Sequence, residues 1–285
     1  MPAEKVDQTA LGKMKEAGEP ITMVTAYDAP TARIADAAGV DTVLVGDSAA
    51  NVVLGHADTI PITVDELLHH TRAVRRGLER AMLIGDMPFM SYNVSTEQAV
   101  ANAGRFCKEA GADAVKLEGG GWVAETAAAM VRAGIPTVGH LGLTPQTASS
   151  LGGYKVQGKT AAGARQIVDD ALALERAGVI MLVLECVPAR LGSLLAGKLR
   201  VPVIGIGAGN GCDGQVLVFH DLVGIAAGFT PKFVKRYAEA GQLMQDAVAS
   251  YCREVKARDF PGPDHSFAIP DEEFAELEET LGSRS

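Results

Sequence analysis

The chain has 285 residues, of which 47% are hydrophobic and 21% are charged, a composition typical of globular proteins. A formal net charge of −9 argues against a surface that binds nucleic acid. The four cysteines form no CxxC pair, and neither a signal peptide nor an apolar run long enough to span a bilayer is visible. We therefore expect a cytoplasmic protein with no zinc cage, disulfide framework or membrane partner.

Short runs rich in Val, Ile and Leu recur along the chain, each bounded by Gly, Pro or a polar residue. Most are continuously apolar, as strands that are buried on both faces are. The sequence therefore predicts eight parallel strands, at Ile21–Tyr27, Thr42–Gly46, Ala81–Gly85, Ala114–Leu117, Thr137–Leu141, Ile180–Leu184, Val201–Ile206 and Leu222–Ala226.

Segments with helical start and stop signals lie between these runs. Thr63 with Glu66 three residues later forms a capping-box pattern, and Ser95 with Gln98 repeats it. Glycines follow several of the segments, as they commonly follow helices. The predicted helices are Pro30–Ala38, Thr63–Gly77, Ser95–Ala110, Trp122–Ala133, Ala161–Ala177 and Pro188–Gly197.

The joints between helices and strands repeat as AAGVDTVLV, EAGADAVKL and RAGVIMLVL, the pattern of a parallel α/β fold. Eight alternating strands favour a closed (β/α)₈ TIM barrel, with an open doubly wound sheet as the alternative. We expect one catalytic barrel with an N-terminal lead-in over residues 1–267. The acidic C-terminal tail, 268–285, is predicted to be either a short surface helix or disordered.

Polar residues stand at the ends of five predicted strands. A single acid there is most simply explained as a helix cap, but the strand ends of a barrel converge, and acids are rarely buried without a partner. The histidine on its own is as readily explained as a hydrogen-bonded core residue. These residues are Asp47, Asp86, Glu118, His140 and Glu185.

Three carboxylates in one place require a positive counter-charge. A hard divalent cation with oxygen ligands supplies it, and Mg²⁺ is the usual choice where positions remain open for substrate and water. Lys116 lies two residues before Glu118, so both side chains point to the same face of the strand. Lys116 is either a structural counter-ion or, as a metal cluster nearby favours, a partner for a substrate carboxylate or enolate oxygen.

The glycine-rich stretch GIGAGNGCDGQ, Gly205–Gln215, formally contains GxGxxG after a strand. No clear helix follows it and no acid stands about 20 residues later, so a dinucleotide site is not indicated. Two interpretations stay open: a loop whose backbone approaches a ligand closely, or a tight connection after the seventh strand.

Ten motifs carry a family resemblance that extends, in order, from Ile21 to Phe267. They are TAYDAPTA, LVGDS, DMPFMSY, VKLEGG, GHLGLTPQ, GGYKVQGK, LVLECVP, PVIGIGAG, HDLVGI and PGPDHSF. Together they resemble the ketopantoate hydroxymethyltransferases.

The resemblance implies a (β/α)₈ barrel of the phosphoenolpyruvate/pyruvate type and a transferase activity. A hydroxymethyl group would pass from 5,10-methylenetetrahydrofolate to 3-methyl-2-oxobutanoate, giving 2-dehydropantoate by Mg²⁺-assisted enolate formation and aldol-type attack. This is the first committed step of pantothenate and coenzyme A biosynthesis. The resemblance also implies one Mg²⁺ per subunit and a homo-oligomer, typically a decamer.

The resemblance also implies roles for individual residues. The LVLECVP glutamate, Glu185, would be the catalytic general base. The metal ligands would be Asp47, Asp86 and Glu118. The residues that hold the 2-oxo acid would be Asp47, Ser48, Asp86, Lys116 and His140.

Two other classes of protein compete with this interpretation. Relatives of phosphoenolpyruvate mutase or isocitrate lyase also place acids at strand ends, but their chemistry uses a cysteine-bearing KKCG-like loop that is not found here. A barrel without catalysis, serving in binding or assembly, would be expected to have lost some of the polar residues at its strand ends. All of them are present.

Overall fold

The computed structural model describes residues 4–225 and 230–282. Residues up to Tyr237 form one compact unit, and those from Ala238 onwards form a second. The boundary that the sequence suggests at residue 267 stays a prediction. None of the described helices is long and apolar enough to cross a membrane.

The first unit is a closed barrel of eight parallel strands, as predicted, built entirely from described residues. Each strand pairs with the next in the chain, and β8 pairs with β1. The strands are β1 Ile21–Thr25, β2 Thr42–Val45, β3 Met82–Asp86, β4 Ala114–Glu118, β5 Thr137–Gly142, β6 Met181–Glu185, β7 Val203–Ile206 and β8 Gly214–Leu217.

The six predicted helices are confirmed to within about two residues at each end. The Thr63 capping box is present, because the Thr63 side chain accepts from Glu66 N and the Glu66 carboxylate accepts from Thr63 N. A ten-residue helix near the N-terminus and two four-residue helices, one after β2 and one after β8, were not predicted. In chain order the helices of this unit are α1 Gln8–Ala17, α2 Ala29–Ala37, α3 Ala49–Val52, α4 Val64–Arg75, α5 Thr96–Ala110, α6 Val123–Arg132, α7 Ala161–Ala177, α8 Ala189–Lys198 and α9 Phe219–Leu222.

The predicted eighth strand, Leu222–Ala226, is wrong in its described part. Leu222 ends α9, the next residues form a turn, and Ala226 lies outside the described residues. The true β8 begins inside the glycine-rich stretch. It was missed because its burial alternates, with Gln215 exposed, and because it opens on a glycine. That glycine is needed, since a Cβ on Gly214 would collide with the carbonyl oxygen of Ile21 on β1.

The barrel is closed at the N-terminal ends of its strands. Leu11 of α1 is buried with the side chains that fill the barrel interior. Lys15 of α1 forms an ion pair with Asp213, which immediately precedes β8. The opposite end of the barrel, where the strands finish, is therefore the end that can receive ligands, as is usual for this fold.

Asp36 at the end of α2 fastens this helix to the segment that enters β3. Its carboxylate accepts from the backbone N of Glu79, Arg80 and Ala81 at 2.7 to 3.2 Å. Partial burial raises the pKa of Asp36, but these donors outweigh it and hold the pKa below its usual value.

We expect Asp36→Asn to lower the free energy of unfolding by about 1 kcal/mol at pH 7, a value kept small because the group is largely solvated. A depressed pKa stabilises the fold above the unfolded-state pKa and loses that effect as pH falls. The difference from the parent protein should therefore shrink as the pH falls below about 4, the ordinary pKa of an aspartate, in urea unfolding curves. Asp169→Asn, on the exposed face of α7, is the control and should show no such loss.

The second unit contains α10, Ala240–Ala257, and α11, Asp271–Gly282. Neither helix has a buried residue. Between them the Phe260 ring contacts the rings of Tyr251 and His265, with centroids 5.7 and 5.2 Å apart. From Asp271 to Gly282 the acidic tail is thus helical, which is one of the two states expected for it.

Candidate active site

A cavity of about 690 Å³ opens at the carboxyl ends of the strands. The barrel brings every candidate site residue to its wall, because parallel strands all finish at the same end. The residues are Asp47 and Ser48 after β2, Asp86 on β3, Lys116 and Glu118 on β4, His140 on β5 and Glu185 on β6.

Asp47, Asp86 and Glu118 form a buried carboxylate cluster. One oxygen from each lies within 4.8 Å of the others. Burial and the neighbouring charges of Asp86 and Glu118 raise the pKa of Asp47, and burial likewise raises that of Asp86. Burial also acts to raise the pKa of Glu118, but Lys116 and His140 hold it at about 2. The cluster is therefore a concentrated negative site.

The cluster fits a hard divalent cation. Its donors are all carboxylate oxygens, the ligands that Mg²⁺ prefers. Asp47 Oδ2 is buried and accepts no hydrogen bond from any described residue, which is costly unless something else is bound there. The predicted metal ligands are therefore adjacent and chemically suited to an ion.

Lys116 is the fixed cation beside this cluster. Its Nζ lies 2.8 Å from Asp86 Oδ1 and 3.2 Å from Glu118 Oε1. Burial acts to lower the pKa of Lys116, but the surrounding carboxylates of Asp86, Glu118 and Asp47 raise it overall. The side chain is thus charged at neutral pH, and it is both a counter-ion for the acids and a wall of the cavity.

His140 links the cluster to Glu185. Its Nδ1 is 3.0 Å from Glu118 Oε1, and its Nε2 is 3.3 Å from Glu185 Oε2, without hydrogen-bond geometry in the second contact. Burial acts to lower the pKa of His140, but Glu118 raises it to about 9. The Glu185 side chain is 14% exposed, against 1% for Glu118, and it lines the open cavity. It does not belong to the group of three carboxylates whose oxygens lie within 4.8 Å of one another.

Three residues that were not singled out from the sequence contact the side chains that line the cavity, or link them to each other. The hydroxyl groups of Tyr27 and Ser48 are 2.8 Å apart. The Tyr92 hydroxyl donates to Gln146 Oε1, and Gln146 N donates to Glu118 Oε2. The three residues are Tyr27, Tyr92 and Gln146, and each lies inside one of the family motifs. The sequence signal that could have identified them is a polar side chain, without an assigned role, in a motif that is otherwise expected to be buried.

The family model for ketopantoate hydroxymethyltransferase matches residues 5–263 of the chain. The chain is 55% identical over 264 residues to a protein of Geobacillus kaustophilus named 3-methyl-2-oxobutanoate hydroxymethyltransferase, covering 93% of this chain and 95% of that protein.

Solved structures resemble the chain more distantly. A phosphonopyruvate hydrolase has a TM-score of 0.60 at 15% identity, with 98% of this chain and 97% of that one covered. A 2,3-dimethylmalate lyase of the PEP mutase/isocitrate lyase superfamily has a TM-score of 0.54 at 14% identity, covering 97% and 96%. At such identities the likeness shows the fold alone, which is the closed (β/α)₈ barrel that the sequence predicts.

Proposed function

The chain belongs to the ketopantoate hydroxymethyltransferase family and is a transferase, and we propose how its own residues divide the hydroxymethylation of 3-methyl-2-oxobutanoate. This reaction is the first step of pantothenate synthesis. The chain is 55% identical to a protein named as a hydroxymethyltransferase, but only 15% identical to the phosphonopyruvate hydrolase that shares its fold. Relatives of phosphoenolpyruvate mutase or isocitrate lyase are therefore no longer alternatives for its activity. The observation that carries the proposal is a carboxylate cluster with a separate acid, Glu185, in the same cavity.

Asp47, Asp86 and Glu118 would hold one Mg²⁺ per subunit. When bound, the ion would polarise the 2-oxo group and so make the neighbouring C–H more acidic. Lys116 would pair with the substrate carboxylate, and Ser48, oriented by the Tyr27 hydroxyl, would donate to a substrate oxygen. His140 would add a polar contact between the cluster and the base.

Glu185 would take the proton from carbon 3 of the substrate. The base must be a carboxylate outside the set that holds the metal, and Glu185 borders the open cavity. His140 Nε2, at 3.3 Å, would orient Glu185 and balance its charge.

Water would add to the methylene carbon of 5,10-methylenetetrahydrofolate, and both C–N bonds of this carbon would break. The two water protons pass to the folate nitrogens, which gives tetrahydrofolate and leaves the carbon at the oxidation level of formaldehyde. The enolate would then attack this carbon to form the new C–C bond, and Glu185 would return its proton to the resulting alkoxide, giving 2-dehydropantoate.

The proposal includes a cytoplasmic homo-oligomer, a decamer by resemblance. Apolar side chains on α10 are exposed in the single chain, among them Leu243, Val248 and Tyr251, and assembly would cover such a face.

The test is to incubate purified protein with 3-methyl-2-oxobutanoate, methylenetetrahydrofolate and Mg²⁺, and to follow 2-dehydropantoate by NMR. Product should form, should disappear when EDTA removes the metal, and should return when excess Mg²⁺ is added. Full activity in EDTA would contradict the role of the carboxylate cluster, and no product from folded, Mg²⁺-loaded protein would contradict the proposed reaction.

A further inference from the structure

The cavity extends well beyond the residues assigned so far. Its deep wall is buried and carries the carboxylate cluster. Its outer wall carries more exposed residues from two segments, around Tyr154 on the β5–α7 connection and around Phe233 after α9. A volume of about 690 Å³ is in the range that holds a drug-sized ligand, far more than a five-carbon acid occupies. A second and larger molecule therefore has room beside the substrate.

The outer wall is suited to a flat, largely apolar ligand. Apolar side chains from separate segments of the barrel line it, and aromatic rings border the mouth. These side chains are Val52, Tyr154, Val156, Val218 and Phe233.

One carboxylate on this wall has no assigned task. Asp221 on α9 is half-buried and lines the cavity, and its side chain accepts no hydrogen bond from a described residue. Burial raises its pKa, since the nearby charges of His220 and Arg236 compensate only in part. A partly desolvated carboxylate of this kind is best satisfied by two parallel N–H donors.

Two lysines stand at the mouth. Lys155 and Lys232 line the cavity from its two outer segments, and both are exposed. Neither ammonium group is ion-paired or hydrogen-bonded to any residue in the ranges 4–225 and 230–282. Because the whole chain carries a net charge of −9, attraction of an anionic ligand depends on such local cations.

We propose that the outer cavity binds the folate donor, with Asp221 accepting from the N3–H and 2-amino groups of the pterin and Lys155 and Lys232 pairing with the glutamate carboxylates. The assignment is based on burial within the cavity. Asp221 is half-buried and would bind the pterin, whereas Lys155 and Lys232 are exposed and would bind the charged glutamate tail of the folate. Phe233 and Val156 pack against the rings between them. This inference rests on the proposed function, because only that reaction requires a reduced folate.

The first test measures the affinity of tetrahydrofolate, the product form, by calorimetry. Asp221→Asn replaces one acceptor oxygen by a donor and should weaken binding at least 10-fold. In turnover its KM for methylenetetrahydrofolate should rise similarly, while the KM for 3-methyl-2-oxobutanoate changes less than 2-fold. The exposed Asp169→Asn removes the same charge outside the cavity and should change neither value. Unchanged tetrahydrofolate affinity in Asp221→Asn would overturn the pterin assignment.

The second test separates the lysines from the pterin. Lys155→Gln and Lys232→Gln should each weaken tetrahydrofolate about 2- to 5-fold at low salt, and the effect should fade as salt is added. They should leave the affinity for tetrahydropteroate, which has no glutamate, unchanged. Lys159→Gln and Lys235→Gln, which lie in the same segments but not on the cavity wall, are the controls. Equal losses for both ligands, or none for tetrahydrofolate, would overturn the role of the lysines.

A further measurement distinguishes failure of this inference from failure of the proposed function. The unmodified protein with Mg²⁺ should exchange the carbon 3 hydrogen of 3-methyl-2-oxobutanoate with D₂O in the absence of folate. If the unmodified protein exchanges this hydrogen but all variants bind tetrahydrofolate as tightly as the parent does, only the folate site in the outer cavity is contradicted. If the unmodified protein gives neither exchange nor product, the proposed function is contradicted.

Discussion

Replacing Glu185 by glutamine is expected to lower kcat by about 10²- to 10⁴-fold while leaving Mg²⁺ affinity nearly unchanged. The amide keeps the shape of the side chain but cannot accept the carbon 3 proton, and general-base catalysis contributes about that factor. Glu185 lines the open cavity and is not a member of the cluster of Asp47, Asp86 and Glu118, so the proposed metal site should remain intact. The measurements are turnover, exchange of carbon 3 hydrogen into D₂O, and Mg²⁺ titration by calorimetry.

Asp47→Asn is the matched comparison, because it makes the same chemical change inside the carboxylate cluster. It should weaken Mg²⁺ binding strongly, and its turnover should recover in part at high Mg²⁺. Glu185→Gln should not be rescued at any Mg²⁺ concentration. An equal loss of Mg²⁺ affinity in both variants would contradict the separation of base and metal ligands.

The barrel and the position of its site could be predicted because both follow from local patterns. Continuously apolar runs predict parallel strands, and the ends of such strands must converge. Asp47, Asp86, Glu118 and Glu185 therefore had to meet once the barrel was predicted, and the family resemblance gave the same set.

Other features depend on tertiary contacts that no local pattern encodes. β8 is short and alternates in burial, so its identity as a strand comes from pairing with β1. Gln146 contacts Glu118 across 28 positions of sequence, and Tyr27 contacts Ser48 across 21. The two uses proposed for Lys116 also could not be separated from sequence, because a counter-ion and a substrate partner have the same side chain in the same place.

Replacing Lys116 by methionine separates those two uses. Breaking a buried ion pair costs about 3–5 kcal/mol, because the acids left behind repel each other without compensation. The metal-free variant should therefore lose about this much free energy of unfolding at pH 7. The wild-type pKa of Glu118, about 2, lies below its unfolded value. Its stabilising effect is thus full at neutral pH, and the difference between the proteins should shrink as pH falls from about 4.5 towards 2.

The control is a second change that removes one of the acids now left unpaired. Lys116→Met combined with Asp86→Asn should recover much of the lost metal-free stability, because Asp86 Oδ1 is 2.8 Å from Lys116 Nζ. Saturating Mg²⁺ should stabilise Lys116→Met more than it stabilises the parent, since the ion then supplies the missing positive charge.

Any activity regained with Mg²⁺ should still show a raised KM for 3-methyl-2-oxobutanoate if Lys116 also binds the substrate carboxylate. If the double variant recovers stability and the KM of Lys116→Met is unchanged, Lys116 acts only as a counter-ion. If the metal-free Lys116→Met variant is as stable as the parent, Lys116 is not a counter-ion either.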